Sequence, residues 1–182
     1  STSINYFQKS IKIDQLFKKS YHGLGLCLVA LDKWFEAIHY FKKAYKFEND
    51  NIDYIKSLAY AEFKVGNLVS SIELYSKGLS IAPNDIDLSL DFSLIYYESG
   101  DIHRSISIIK DAINENQEES LLYYRLVVYL MDAGKYKESI NVLESALSLN
   151  FDNHEVLFDF VPNFESQSAL IRIINNYKNN LK

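Results

Sequence analysis

The sequence contains few of the residues that cross-link a chain or interrupt helices. It contains one cysteine, Cys27, so it can form neither an internal disulfide nor a cysteine cluster for a metal ion. Only two prolines and six glycines occur in 182 residues. Long helices tolerate that scarcity, whereas a strand-rich fold needs more turn residues. No apolar run approaches the length of a membrane span, so we expect no membrane insertion.

Positive charge is also scarce. The 19 lysines and arginines are outnumbered by 24 aspartates and glutamates, which gives a net charge of −5, and no basic block is present. The chain therefore lacks the electrostatic footprint of a nucleic-acid-binding protein, and we expect no nucleic acid among its partners. Hydrophobic residues make up 48% of the chain, which is typical of a folded protein and not of a disordered one.

Catalytic and cofactor motifs are missing as well. The four histidines follow no metal-ligand spacing: His22, His39, His103 and His154. Gly23-Leu24-Gly25 falls inside a helical pattern and is not a phosphate loop. Asp85, Asp87 and Asp91 lack calcium-loop spacing, and carboxylates grouped in this way favour the start of a helix. We therefore predict that the chain is not an enzyme and binds no cofactor or metal.

What the sequence does contain is an internal repeat of 34 residues. One column is isoleucine throughout: Ile4, Ile38, Ile72, Ile106, Ile140 and Ile174. The column before it is small in five of six cases: Ser3, Ala37, Ser71, Ser105, Ser139 and Ile173. A large apolar column follows: Phe7, Phe41, Tyr75, Ile109, Leu143 and Tyr177. Another small column comes next, broken only at Asn180: Ser10, Ala44, Gly78, Ala112 and Ala146. A fifth column is apolar: Leu24, Leu58, Phe92, Leu126 and Phe160.

Each repeat contains two helical stretches separated by a break. In the third repeat, Leu88 and Phe92 recur at helical spacing before Gly100-Asp101 supplies a turn. The apolar pattern resumes on a second helix that contains Ile106. Small side chains in the repeat let the two helices of a hairpin approach closely. Trp34 shares its column with other apolar residues, and we expect it to pack in the core.

The first complete unit carries a recognisable pattern. It reads Tyr21-x2-Leu24-Gly25-x2-Leu28, then Ala37-x3-Phe41-x2-Ala44. This pattern closely resembles the tetratricopeptide repeat, and the second unit adds the terminal proline of that family at Pro83. The resemblance covers essentially the whole chain. It implies an all-α fold, an α–α superhelix in which antiparallel helix hairpins stack as a right-handed solenoid.

The register also predicts how the single array, residues 1–182, is organised. Full repeats occupy 18–51, 52–85, 86–119 and 120–153, and residues 1–17 match only the second helix of a truncated upstream repeat. Residues 154–182 are predicted to be a degenerate repeat that forms C-terminal capping helices, with Pro162 interrupting the first of them. We therefore expect the chain to be a fragment of a longer protein. We also predict a cytoplasmic location, with which the single cysteine is compatible.

A partner-binding face follows from the resemblance. In tetratricopeptide proteins the first helices of successive repeats line a concave groove. The corresponding positions here are His22, Leu26, Val29, Lys56, Tyr60, Phe63, Leu90, Leu94, Tyr97, Tyr124, Val128 and Met131. This set is largely apolar and aromatic, which is typical of a binding surface. We predict a protein–protein interaction scaffold or adaptor that binds a peptide or helix of a partner protein in this groove.

Two other functions stay open on the sequence. One is structural, with the array associating with itself as a homo-oligomer. The other is regulation of a larger multidomain protein that contains the array. Recognition of the acidic tails of chaperones is disfavoured, because relatives that bind such tails use Lys, Asn and Arg. The corresponding positions here are His22, Leu26, Ser57, Asp87 and Asp91, and two carboxylates would repel an acidic tail.

Overall fold

The computed structural model describes residues 2–13, 18–160 and 168–180, and within these ranges it contains helices and no strand. The α-helices are α1 Thr2–Ile13, α2 Lys18–Val29, α3 Trp34–Phe47, α4 Ile52–Lys64, α5 Leu68–Ile81, α6 Ile86–Glu98, α7 Ile102–Glu115, α8 Ser120–Asp132, α9 Tyr136–Leu149, α10 Val156–Phe160 and α11 Ser168–Asn180. A 3-10 turn, Asp152–Glu155, precedes α10. Pro162, predicted to interrupt a capping helix, lies outside the described residues. None of the described helices is long and apolar enough to cross a membrane.

The chain divides into two compact units, residues 1–83 and 84–182. In the first unit α2 packs with α3 and α4 packs with α5, so that two hairpins follow one another after α1. In the second unit the pairs are α6 with α7 and α8 with α9, followed by the 3-10 turn, α10 and α11. Each unit thus repeats the same antiparallel hairpin.

The small column of the repeat lies where the helices of each hairpin cross. Its members on α3, α5, α7 and α9 are fully buried: Ala37, Ser71, Ser105 and Ser139. Gly25 on α2 shows why size matters there, because a Cβ atom at this position would overlap the ring of Phe41. The sequence-based expectation that small residues permit close approach is therefore confirmed.

The turns inside the hairpins depend on a left-handed residue. Gly66, Gly100 and Gly134 have φ of 88°, 88° and 72°, a region that residues with a Cβ seldom adopt. In the α2–α3 turn the same role falls to Asp32, with φ of 59°. Asp32 compensates through its side chain, since its Oδ1 accepts a hydrogen bond of 2.5 Å from the indole Nε1 of Trp34.

The carboxylates near residue 85 serve local structure, as the sequence predicts. Asp85 is the N-cap of α6, and its Oδ1 accepts a hydrogen bond of 2.7 Å from the amide of Leu88. Asn51 and Asp101 cap α4 and α7 in the same way. The Asn51 and Asp85 caps fix where the second and third repeats begin, and the Asp101 cap fixes the start of the second helix of the third repeat.

Candidate functional site

In the first unit, α2 and α4 contact each other and present their predicted groove positions together. We call this surface the α2/α4 face; it consists of His22, Leu26, Val29, Lys56, Tyr60 and Phe63. Leu26 is 47% exposed and Tyr60 is 37% exposed. The other four side chains are half-buried. The face therefore offers apolar and aromatic surface to solvent at its middle positions.

His22 closes one end of the α2/α4 face. Its Nε2 shares a hydrogen bond of 2.8 Å with Ser57 Oγ, and its ring centroid lies 4.8 Å from that of Tyr54. Burial lowers the pKa of His22, and the negative charge of Asp53 partly opposes this shift. At neutral pH the imidazole is therefore predominantly neutral, and it contributes an aromatic surface to the face and not a positive charge.

Three side chains form what we call the aromatic–lysine cluster: Trp34, Tyr60 and Lys64. The Trp34 and Tyr60 rings meet edge to face, with centroids 5.6 Å apart. Lys64 Nζ lies 5.7 Å from the Trp34 ring centroid and 5.9 Å from that of Tyr60. Because Tyr60 belongs to both groups, the cluster extends the α2/α4 face toward the turn ends of the two hairpins. An ammonium and two aromatic rings thus lie beside exposed apolar surface.

The cluster corrects one expectation and adds one residue. Trp34, expected in the core, packs against it only in part and stays half-buried, because Asp32 holds its indole beside the α2–α3 turn. Lys64 is absent from the sequence-predicted set. Its sequence signal is the four-residue spacing of Lys56, Tyr60 and Lys64, which places all three on one side of α4.

In the second unit the predicted residues of α6 are half-buried: Leu90, Leu94 and Tyr97. The Tyr97 ring stacks on Tyr129, with centroids 4.8 Å apart, and its hydroxyl donates a hydrogen bond to Asp132 Oδ2. Burial and the neighbouring carboxylate raise the pKa of Tyr97 to about 12. Tyr97 therefore ties α6 to α8, and its hydroxyl is already engaged within the unit.

The predicted positions on α8 are not exposed, and that expectation is wrong. Tyr124, Val128 and Met131 are all buried, Tyr124 completely. The physical reason is that the 3-10 turn and α10 pack onto α8. The fully buried Leu157 of α10 belongs to the same apolar cluster as these three side chains. They contribute to the core of the second unit, not to a surface.

The side chains of the candidate site are suited to binding another molecule through non-covalent contacts. Within the part of the chain that the structure describes, no group of three or more His, Cys, Asp or Glu side chains is placed to hold a metal ion. The α2/α4 face and its cluster instead combine aliphatic, aromatic and cationic groups. Such surfaces bind other molecules through buried area, ring contacts and charge pairing.

Tandem antiparallel hairpins with small residues at their crossings define a helical-repeat protein of the solenoid class. A family model for the tetratricopeptide repeat matches residues 121–153. The tetratricopeptide repeat-containing protein trd-1 of Caenorhabditis elegans is 20% identical over 149 residues, 81% of this chain. Superkiller protein 3 of Saccharomyces cerevisiae is 31% identical over 74 residues, 41% of this chain. Residues 121–153 are therefore identified as a tetratricopeptide repeat, and the chain is similar to proteins that contain such repeats.

Solved structures agree on the fold. A crystal structure of MamA superimposes with a TM-score of 0.71 at 16% identity, covering 84% of this chain and 89% of that one. YrrB, described as a TPR protein with an unusual peptide-binding site, gives a TM-score of 0.66 at 16% identity, over 86% of this chain and 80% of that one. The predicted all-α solenoid class is thus confirmed. The matches span 19% of the length of trd-1 and 5% of that of Superkiller protein 3.

Proposed function

We propose that the α2/α4 face binds a peptide or helix of a partner protein, as the specific form of the scaffold role that this fold supports in general. The solved proteins that share the fold of this chain are of the scaffold type, which is typically not enzymatic. The binding mode would be an extended or helical segment lying along the first helices of the two hairpins, with apolar side chains against Leu26 and Tyr60.

One contrast between equivalent positions supports this proposal most strongly. Leu26 and Tyr60 occupy the same place in their repeats as Val128, yet Val128 is buried by the elements that follow it. The first-unit residues keep large apolar side chains at 47% and 37% exposure. Apolar surface left in water forfeits about 25 cal/mol for each Å². A partner that covers both side chains would recover that free energy.

The solved structure of YrrB gives general support. That tetratricopeptide protein is described as having a peptide-binding site, although the likeness to this chain shows the fold alone. We extend only the class of ligand from it. The residues that would do the binding here come from the exposure and ring contacts of this chain.

The test compares the chain with a Leu26→Glu, Tyr60→Glu double variant. Circular dichroism and urea unfolding would first establish that the variant folds, which its exposed positions favour. Proteins captured from lysate would be identified by mass spectrometry, expressed in purified form and titrated calorimetrically against both chains. We expect the double variant to lose at least about tenfold in affinity.

A matched control is Tyr136→Glu, which adds the same charge at an exposed aromatic position of the second unit. This variant should bind as the unmodified chain does. If Tyr136→Glu weakens binding and the α2/α4 variant does not, the binding surface lies in the second unit and the proposal is wrong.

Self-association is the second candidate, and the charge distribution favours it. The first unit carries 11 Lys and Arg against 8 Asp and Glu, whereas the second carries 8 against 16. A basic unit of one molecule would attract the acidic unit of another. Sedimentation equilibrium over a range of concentrations would test this candidate. A mass that stays monomeric at low and at high salt would eliminate it.

A further inference from the structure

We infer that the segment bound by the α2/α4 face is acidic, and that it places a side-chain carboxylate on Lys64 next to an apolar anchor on Trp34 and Tyr60. This inference rests on the proposed function and names the chemistry of the partner. It follows from how Lys64 is held, from the spacing of the lysines on α4 and from the charge of the first unit.

Among the residues that the structure describes, Lys64 has no acidic partner. Some lysines of the first unit pair with a carboxylate: Lys33 with Glu36 at 2.9 Å, and Lys42 with Glu62 at 2.7 Å. Lys43 and Lys77, like Lys64, lie over tyrosine rings. No ion pair reaches Lys64 from any residue that the structure describes, and its ammonium instead lies over two aromatic rings. Rings attract a cation but do not use its three N–H donors, so the ammonium can still bind a carboxylate.

The place of Lys64 couples that charge to the apolar surface. Tyr60 is one turn before Lys64 on α4 and is part of the exposed face. A partner side chain that covers Tyr60 and the edge of Trp34 would exclude water from the ammonium. An excluded ammonium needs a counter-charge, because desolvation without one is costly. We therefore expect the apolar side chain and the carboxylate to lie close together on the partner segment. They would be one turn apart if the segment is helical and two residues apart if it is extended.

The wider charge distribution has the same sign. Lys56 lies four residues before Tyr60, so that two lysines bracket it on one side of α4. The first unit as a whole has three more basic than acidic residues, and this excess lies in residues 1–19, which contain four lysines and one aspartate. An acidic segment would be steered toward this unit, and a basic one would be repelled.

The experiment uses the lone tryptophan as its reporter, since Trp34 is part of the cluster. Two synthetic peptides would share the same leucine and phenylalanine positions. One would carry glutamates at all other positions and one would carry lysines. Selective excitation of tryptophan would follow each titration into the unmodified chain at low and high salt. We expect the acidic peptide to bind at least about tenfold more tightly, with the advantage shrinking as salt screens the charges.

Three variants sharpen the result. Lys64→Glu should abolish the preference for the acidic peptide or reverse it, and Lys64→Arg should retain it. Lys46→Glu makes the same change of charge at an exposed position of α3 and should leave the preference intact. An unchanged preference in Lys64→Glu would overturn the inference.

The outcomes separate this inference from the proposal beneath it. Equal binding of both peptides, lost in the Leu26→Glu, Tyr60→Glu variant, would keep the binding face and refute its charge preference. If neither peptide changes the Trp34 emission, both the inference and the proposed face fail. A dimer detected by sedimentation that the Leu26→Glu, Tyr60→Glu variant abolishes would also overturn the inference, since the occupant of the face would then be a second copy of the chain.

Discussion

The hydroxyl of Tyr124 donates a hydrogen bond to the main-chain carbonyl oxygen of Asn150, 2.8 Å away. This bond joins α8 to the segment that follows α9, just before the 3-10 turn. A second bond from Asn153 Nδ2 to Ser120 Oγ, 2.9 Å long, holds the same segment to the start of α8. Together they hold this segment against α8, where Val128 is buried, whereas the equivalent Leu26 and Tyr60 are exposed.

Tyr124→Phe should therefore lower stability and leave ligand binding unchanged. The variant keeps the ring but leaves the Asn150 carbonyl without this donor, which we expect to cost about 1 kcal/mol. Urea unfolding at neutral pH would measure the loss. Tyr124→Glu should be far more damaging, because it buries a charge. A Tyr124→Glu protein as stable as the unmodified chain would show that this position is exposed in solution.

Alkaline pH should destabilise the second unit through Tyr97. Its pKa rises from 10.0 to about 12 in the folded chain, so the folded state holds the phenol proton more tightly than the unfolded state does. The stabilisation is fully present below pH 10 and is lost as pH rises from 10 to 12. Tyr97→Phe should flatten this part of a plot of the urea midpoint against pH.

Gly25→Ala should destabilise the α2–α3 hairpin by about 1–3 kcal/mol, because the added methyl group overlaps the buried ring of Phe41. Thermal and urea unfolding would measure this. A double variant with Phe41→Leu should cost less than the sum of the two single changes, since the smaller side chain makes room for the methyl group. Strict additivity would mean that the two residues do not meet.

Lys42 and Lys110 occupy the same position of their repeats, but we expect them to contribute differently to the free energy of unfolding. Lys42 Nζ lies 2.7 Å from Glu62, a carboxylate whose side chain is 2% exposed, whereas Lys110 lies 2.6 Å from the exposed Glu138. Lys42→Met should cost about 2 kcal/mol or more by leaving the buried Glu62 carboxylate without a counter-charge, although Asn67 Nδ2 still donates a hydrogen bond to it. Lys110→Met should cost about 0.2–1 kcal/mol.

The control for this comparison comes from the second unit, where Leu130 takes the place of Glu62 and is fully buried. Adding Glu62→Leu to Lys42→Met should restore stability to the original level or above it. Urea unfolding of the four chains would provide the data. Equal losses for Lys42→Met and Lys110→Met would contradict the role given to the burial of Glu62.

The hairpins were predictable from the sequence because their main determinants recur at a fixed spacing. Ala37 and Ser71 fall in one column, and both are buried at helix crossings. Gly66 and Gly100 punctuate the pattern, and both have the positive φ that a tight turn requires. These requirements act over a few residues of one hairpin, so a single sequence displays them directly.

The exposure of the groove positions was only partly predictable. Register places Tyr60 and Val128 at the same point of the repeat, but burial depends on what packs against each helix afterwards. The 3-10 turn and α10 lie outside the regular hairpins, so the pattern does not indicate that they cover α8. Trp34 packs against the core as expected but stays half-buried, since its position also depends on a side-chain bond to Asp32.

The bond between Asp32 and Trp34 has a consequence for recognition. Asp32 occupies the left-handed position of the α2–α3 turn, where the other hairpin turns have glycine. Unlike glycine it has a side chain, and its carboxylate accepts a hydrogen bond from the indole of the lone tryptophan. Trp34 is consequently oriented before any partner arrives, and little rotational freedom is left to lose when its ring is covered. At this end of the face the protein would keep its conformation on binding, and the incoming segment would have to change its own conformation to fit Trp34.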